Sequence, residues 1–278
     1  MSNINRLQSE ILVDGLKFPE CPRWHNEKLW FSDMEDRKIF TIDMNGKLEL
    51  ILEWPNRVSG LGWLSDGSLI FVSMEDRRLL KFKSGKINEY ANLNKLATFH
   101  LNDMIVDRKD RVYVGNFGFD YFHNATFVPA EIIMVTPEGK SKVIAENMAF
   151  PNGTVITPDN KTLIVGETFA TRLTAFDIQN DGSLINRRIW ANLKSLPPDG
   201  ICLDEAGGIW VAAPGRHRVV RVLEGGQITH TIKVETDAYA CMLGGKDRHR
   251  LFIATSDYTR NNGKMEYVDV EYAGAGLP

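Results

Sequence analysis

No stretch of this chain approaches the roughly 18 consecutive apolar residues that a membrane-spanning helix requires. The first residues, MSNINRLQSEILVDGL, carry no apolar run of the kind that marks a secretory leader. Blocks of like charge are also missing: 33 Lys and Arg are scattered among 36 Asp and Glu, for a formal net charge of −3. That balance argues against nucleic acid or an anionic membrane as the main partner. Only three cysteines occur, Cys21, Cys202 and Cys241, an odd set without C-x-x-C spacing. They read as reduced thiols of a cytoplasmic protein, small and buried rather than gathered around a soft metal. Helical periodicity is scarce, and only YANLNKLATFH (90–100) suggests a turn of helix. A Gly-rich phosphate loop, a Ser-centred elbow and a convincing Cys–His spacing are all absent. The segment DIQNDG (177–182) begins like an EF-hand loop, but Arg188 stands where the closing Glu belongs, so it reads as a hairpin turn.

What the chain does have is a repeat. Met-Glu-Asp-Arg starts at Met34 and returns at Met74, each copy followed by a short apolar run and a Gly-Lys turn. A looser grammar recurs six times: an apolar stretch, a turn rich in Asp, Asn and Gly, then a second apolar stretch. Examples are GLGWLSDGSLIFVS, TVITPDNKTLIVGE and GICLDEAGGIWVAA. The period of roughly 40–50 residues is that of four-stranded propeller blades. Strand-length runs of Val, Ile, Leu, Phe and Trp between such turns support β structure throughout. The expected fold is an all-β, six-bladed propeller formed by residues 1–278 as one domain. The ring would close by pairing SEILVDG (9–15) with the last blade near KMEYVDVEY (264–272), which leaves no long free sheet edge.

Propeller geometry sends the approach to each blade's first strand to the mouth of the central channel. FPNG (150–153) and PPDG (197–200) occupy two such places, their Pro fixing the approach and their Gly allowing a tight turn. Glu20 in FPECPRW and Asn102 in HLNDMIV occupy two more. Four oxygen donors from four blades thus converge: Glu20, Asn102, Asn152 and Asp199. Two carboxylates and two amides balance a divalent cation while limiting carboxylate repulsion, and all-oxygen donors suit a hard ion.

These segments resemble the family of gluconolactonases, regucalcin (senescence marker protein) and luciferin-regenerating enzyme. The resemblance runs from LKFPECPRW through LNDM, FPNG and PPDGICLDEAGGIWVA to GGKDRHRLFIATS. It implies a six-bladed propeller with one divalent metal in its channel, held by Glu20, Asn152 and Asp199. Asn102 matches a residue that touches substrate, or the metal in some members, and Asp199 matches the catalytic base or nucleophile. The ion implied is Ca²⁺, with Mg²⁺, Mn²⁺ or Zn²⁺ as alternatives.

Two departures bear on the substrate. His100 stands where the sugar lactonases carry Arg, and the following motif reads Asn102-Asp103-Met104 instead of Asn-Asp-Gly. The segment GNFGFDYFHNATFVPAE (115–131) is long and aromatic, and places Phe117, Phe119 and Tyr121 at the mouth with His100 and Asn102 as substrate contacts. The expectation is a metal-dependent hydrolase of a lactone or related ester with hydrophobic substituents. Sugar lactonase, organophosphate hydrolase and non-catalytic Ca²⁺-binding propeller are the alternatives.

Overall fold

The computed structural model describes residues 4–276, in which the only helical elements are two single 3₁₀ turns, Tyr121–His123 and Thr168–Ala170. Six antiparallel sheets form the blades, and their innermost strands are Pro19–His25, Val58–Trp63, Leu101–Val106, Pro151–Ile156, Ile201–Leu203 and Asp237–Gly244. Each innermost strand touches the next, and the sixth touches the first, so the ring is closed. Residues 90–100 continue a strand as far as Asn92 and then form turns, with no helix.

Closure follows the expected route. Strand Glu10–Leu16 pairs antiparallel with Gly263–Asp269 as the outermost strand of the sixth blade. A further strand that the sequence did not suggest, Asn5–Gln8, pairs parallel with Ile228–Lys233 and makes the fifth blade five-stranded. The N-terminal segment therefore ties two adjacent blades together.

Blades pack face to face through apolar side chains. Leu29, Phe31, Trp210 and Phe252 share one buried cluster across the first, fifth and sixth blades. A second cluster joins Met74, Val72, Met104 and Val114 of the second and third blades and rises to Phe117 and Phe119 at the mouth. Burying such side chains contributes about 25 cal/mol per Å² of apolar surface, and the propeller distributes that gain around its rim.

Near the hub, one ion pair spans three blades. Buried Arg23 reaches Asp103 Oδ1 at 2.5 Å and also donates to the backbone carbonyls of Leu61 and Met104. Asp103 is thereby turned away from the channel, although its neighbour Asn102 lines it. Removing one partner strands a buried charge, so Arg23→Met is expected to lower the unfolding free energy by about 3–5 kcal/mol in chemical denaturation. A loss below about 1 kcal/mol would show that the pair does not hold these blades.

Candidate active site at the propeller hub

Five of the six hub residues sit at an irregularity in their strand, whereas Asp199 precedes the regular strand Ile201–Leu203. Register shifts occur between Glu20 and Arg23, Val58 and Leu61, Leu101 and Met104, and Pro151 and Thr154, where an extra residue interrupts the pairing with the second strand. Such bulges redirect a side chain that regular alternation would send elsewhere. The sixth blade shifts between Ala238 and Ala240, at Tyr239. Aligned in this way, the six blades present Glu20, Ser59, Asn102, Asn152, Asp199 and Tyr239.

In three blades the residue that follows the hub position is glycine for a physical reason. A Cβ on Gly60 would lie 2.5 Å from the Met104 nitrogen, one on Gly153 would lie 2.4 Å from the Ile201 nitrogen, and one on Gly200 would lie 2.5 Å from Ala240 Cβ. Gly153 donates its N–H to the Asp199 carbonyl at 3.1 Å, and Gly200 donates to the Tyr239 carbonyl at 2.7 Å. Neither glycine has positive φ, so the Asn-Gly and Asp-Gly pairs are not the tight turns that the sequence suggested. They allow adjacent inner strands to approach until backbones touch.

Polar residues at the ends of the second strands pin the segments that lead to the hub. Asp33 accepts the N–H groups of Lys17 and Phe18, each at 2.8 Å. Glu75 accepts that of Arg57 at 2.7 Å, and buried Glu167 accepts that of Ala149 at 2.7 Å. Glu167 is itself held by Arg172 and Thr174. The hub side chains thus start from a backbone fixed on both sides.

A cavity of about 460 Å³ opens above them. Glu20, Asn102, Asn152 and Asp199 all line it, as do Phe117 and Tyr121 of the long loop. His100 and Phe119, also expected as substrate contacts, are not on its wall. Phe18 and Phe150, at the equivalent positions of the first and fourth blades, do line it. His100 instead stacks on Phe99 at 4.1 Å, with Phe117 and Phe122 nearby, and burial lowers its pKa. Phe119 is buried behind the wall against Phe150 and Phe169. The aromatics of the long loop both pack on one another and form a wall, since Phe117 lies 4.5 Å from Phe150 and Tyr121 lies 5.6 Å from it. Phe150, Tyr239 and Arg260 are cavity residues that sequence reasoning did not assign. Tyr239 could have been found by aligning all six repeats; Arg260 had no signal, because its loop lies outside the repeated pattern.

Polar groups at the hub are incompletely matched. Asn102 donates Nδ2 to the Pro151 carbonyl at 3.2 Å, and Asn152 donates Nδ2 to Thr168 Oγ1 at 3.4 Å. These bonds occupy amide nitrogens and leave the carbonyl oxygens as lone-pair donors. Asp199 Oδ1 is buried without a hydrogen-bond partner. Burial pushes the Asp199 carboxyl well above the usual carboxylate range, and the charges of Glu20 and Asp103 push it further. Burial likewise raises Glu20 to about 7, opposed by the Cys21 N–H and reinforced by Asp103. An unpartnered buried oxygen next to a second acid, flanked by two amides, is a donor set that fits a hard divalent cation. Among the described residues no three His, Cys, Asp or Glu side chains cluster for a metal; the hub set depends on its amides. All three cysteines are buried free thiols, and none lines the cavity.

The sequence pattern characteristic of the SMP-30/gluconolactonase/LRE-like region matches residues 18–257. The chain belongs to this family. Regucalcin of Xenopus laevis is 31% identical over 88% of this chain and 85% of its own length. A 6-deoxy-6-sulfogluconolactonase of Pseudomonas putida is 25% identical over 87% of this chain and 84% of its own. The crystal structure of an Agrobacterium tumefaciens regucalcin, described as a calcium-binding protein, superposes with a TM-score of 0.85 at 19% identity, covering 100% of this chain and 99% of that one. The fold is therefore shared with that relative over the whole chain. In the described residues, no helix is long and apolar enough to cross a membrane.

The raised carboxyl groups give a pH signature. A folded-state pKa above the unfolded value means that the folded protein binds the proton more tightly, so stability falls as pH rises through the window between the two values. With divalent ions chelated, the unfolding temperature is expected to fall between about pH 5 and pH 8, through the Glu20 value of about 7. The fall should shrink in Asp199→Asn or with millimolar Ca²⁺. A chelated wild-type profile that is flat or rises over this range would contradict the hub electrostatics.

Proposed function

We propose that this protein is a hydrolase of a lactone or related ester, with Glu20, Asn152 and Asp199 holding one divalent cation and Asn102 beside it. The observation that carries the reading is the unpartnered Asp199 Oδ1, buried with Glu20 at the floor of a walled cavity. All-oxygen donors and a ligand charge of −2 favour Ca²⁺, with Mg²⁺, Mn²⁺ or Zn²⁺ as alternatives. When bound, such an ion supplies Lewis-acid polarisation of a carbonyl and lowers the charge repulsion between the two acids.

The chain's own residues do the rest. Asp199 accepts a proton from water as the water oxygen bonds to the lactone carbonyl carbon, or attacks that carbon itself. The ring C–O bond then breaks and the leaving oxygen takes a proton, giving a hydroxy acid directly when water attacked, or a mixed anhydride on Asp199 that water hydrolyses to the hydroxy acid when Asp199 attacked. Asn102, fixed through its nitrogen to the Pro151 carbonyl, orients the substrate. Phe117, Tyr121, Phe150 and Phe169 hold the apolar part of the substrate and exclude water. This wall supports hydrophobic substituents over a bare sugar ring. His100 and Phe119 shape the site from behind, through the rings they support.

A second reading, a Ca²⁺-binding propeller without turnover, is favoured by the description of the Agrobacterium relative as a calcium-binding protein. A panel of aliphatic, aromatic and sugar lactones, assayed with EDTA and after metal is restored, separates the two. The hydrolase reading expects metal-restored turnover that Asp199→Asn lowers at least 10³-fold, with Ca²⁺ binding still detectable by calorimetry. Undiminished turnover in Asp199→Asn would remove its assigned role, and inactivity of the metal-loaded wild type on the whole panel would leave the binding reading.

A further inference from the structure

The two Met-Glu-Asp-Arg copies have a place at the mouth that the hub chemistry leaves unexplained. Met34 of the first copy lines the cavity, while Met74 of the second is buried beneath the long loop. Their glutamates grip arginines. Glu35 Oε2 accepts from Arg57 Nε and Nη2 at 3.1 Å, and Glu75 accepts from Arg57 Nη1 at 3.4 Å. The other oxygen of Glu35 accepts from Arg260 Nη1 at 3.3 Å. One carboxylate thereby links the approach to the second blade with the loop that follows Arg250–Ser256 in the sixth.

Arg260 is also held by aromatic faces. Its guanidinium lies 4.7 Å from the centre of the Phe18 ring and 4.9 Å from that of Phe122, and Arg57 lies 4.7 Å from the same Phe122 ring. Phe122 belongs to the long loop of the third blade, so this contact carries the loop across the mouth to the sixth blade. The Arg260 side chain nevertheless keeps 25% of its surface accessible and lines the cavity. A guanidinium has five N–H donors, and a single bond to Glu35 cannot engage them. Arg260 is thus a planar, permanently charged donor of fixed orientation, close enough to Glu20 and Asp199 to influence both.

We propose that Arg260 is the specificity-determining anchor for a carboxylate carried by the substrate, with Glu35 as its positioning residue. This deepens the lactonase reading and rests on it for the reacting ring. The position where sugar lactonases carry Arg is His100, which faces away from the cavity; the guanidinium here arrives from another blade. A planar carboxylate matches its forked N–H groups in a way that a single hydroxyl cannot. The substrate predicted is amphipathic: a lactone ring over the hub, an apolar side against Phe117 and Phe150, and a carboxylate toward Arg260.

The test uses γ-butyrolactones bearing a γ-carboxylate, γ-hydroxymethyl or γ-ethyl group, with the Ca²⁺-loaded protein. Wild type should prefer the carboxylate by at least about 10-fold in kcat/KM. Arg260→Gln should erase that preference by raising KM about 10- to 100-fold more for the carboxylate than for the neutral lactones. Arg260→Lys should recover part of it, and Glu35→Gln should weaken it while leaving the neutral lactones unchanged. Calorimetry with the corresponding lactam carboxylate, pyroglutamate, against its alcohol provides a readout without turnover, with Ca²⁺ affinity and melting temperature checked in each variant. Should Arg260→Gln fail to fold, Arg260→Lys and Glu35→Gln carry the test. If lactones are hydrolysed but neither the carboxylate preference nor lactam binding changes in the Arg260 variants, the anchor is overturned and the lactonase reading stands. Arg260-dependent pyroglutamate binding without hydrolysis of any lactone keeps the anchor and removes the lactonase. Absence of both removes both.

Discussion

Two acids, half-buried Glu20 and buried Asp199, meet where six backbones converge, and the rest of this molecule is arranged around that unfavourable meeting. Desolvation alone disfavours each charge, and each additional negative group nearby deepens the cost. A fold that tolerates such a pair must hold it by force of packing. The propeller does this by setting the hub residues in or just before its innermost strands, with the Gly153 and Gly200 contacts drawing the neighbouring strands together. Small residues at the hub and large ones at the rim are consequences of one geometry, the narrowing of six wedges toward an axis.

The polar scaffolding follows a similar rule. Asp33, Glu75 and Glu167 capture backbone N–H groups of the segments that lead inward, and Arg23 neutralises Asp103 out of the channel. Buried acids in this protein are therefore of two kinds. Those with hydrogen-bond donors or Arg partners fix the frame. Glu20 and Asp199 lack Arg partners in hydrogen-bond contact, and their imbalance is what a divalent cation would relieve.

Selectivity is built higher up, from elements that do not repeat. The long loop of the third blade lays Phe117 and Tyr121 over the hub, and Phe122 meets Arg57 and Arg260 at the far side of the mouth. An aromatic wall and one fixed guanidinium give the cavity an apolar side and a charged point.

The repeat of apolar runs and Asp/Gly turns was enough to give six blades and the place of ring closure, because strand periodicity and turn chemistry are local properties. Equivalent repeat positions also singled out Glu20, Asn102, Asn152 and Asp199, whose convergence follows from rotational symmetry. The positions of His100, Phe119, Tyr239 and Arg260 were decided only in three dimensions. His100 stacked on Phe99 off the cavity wall, and the sixth blade brought Tyr239 to the axis. The loop after Ser256 brought Arg260 to a carboxylate 225 residues away in sequence. Local patterns encode strands and turns; the side of a bulged strand that faces a cavity, and the partner that a loop arginine meets, depend on packing between blades.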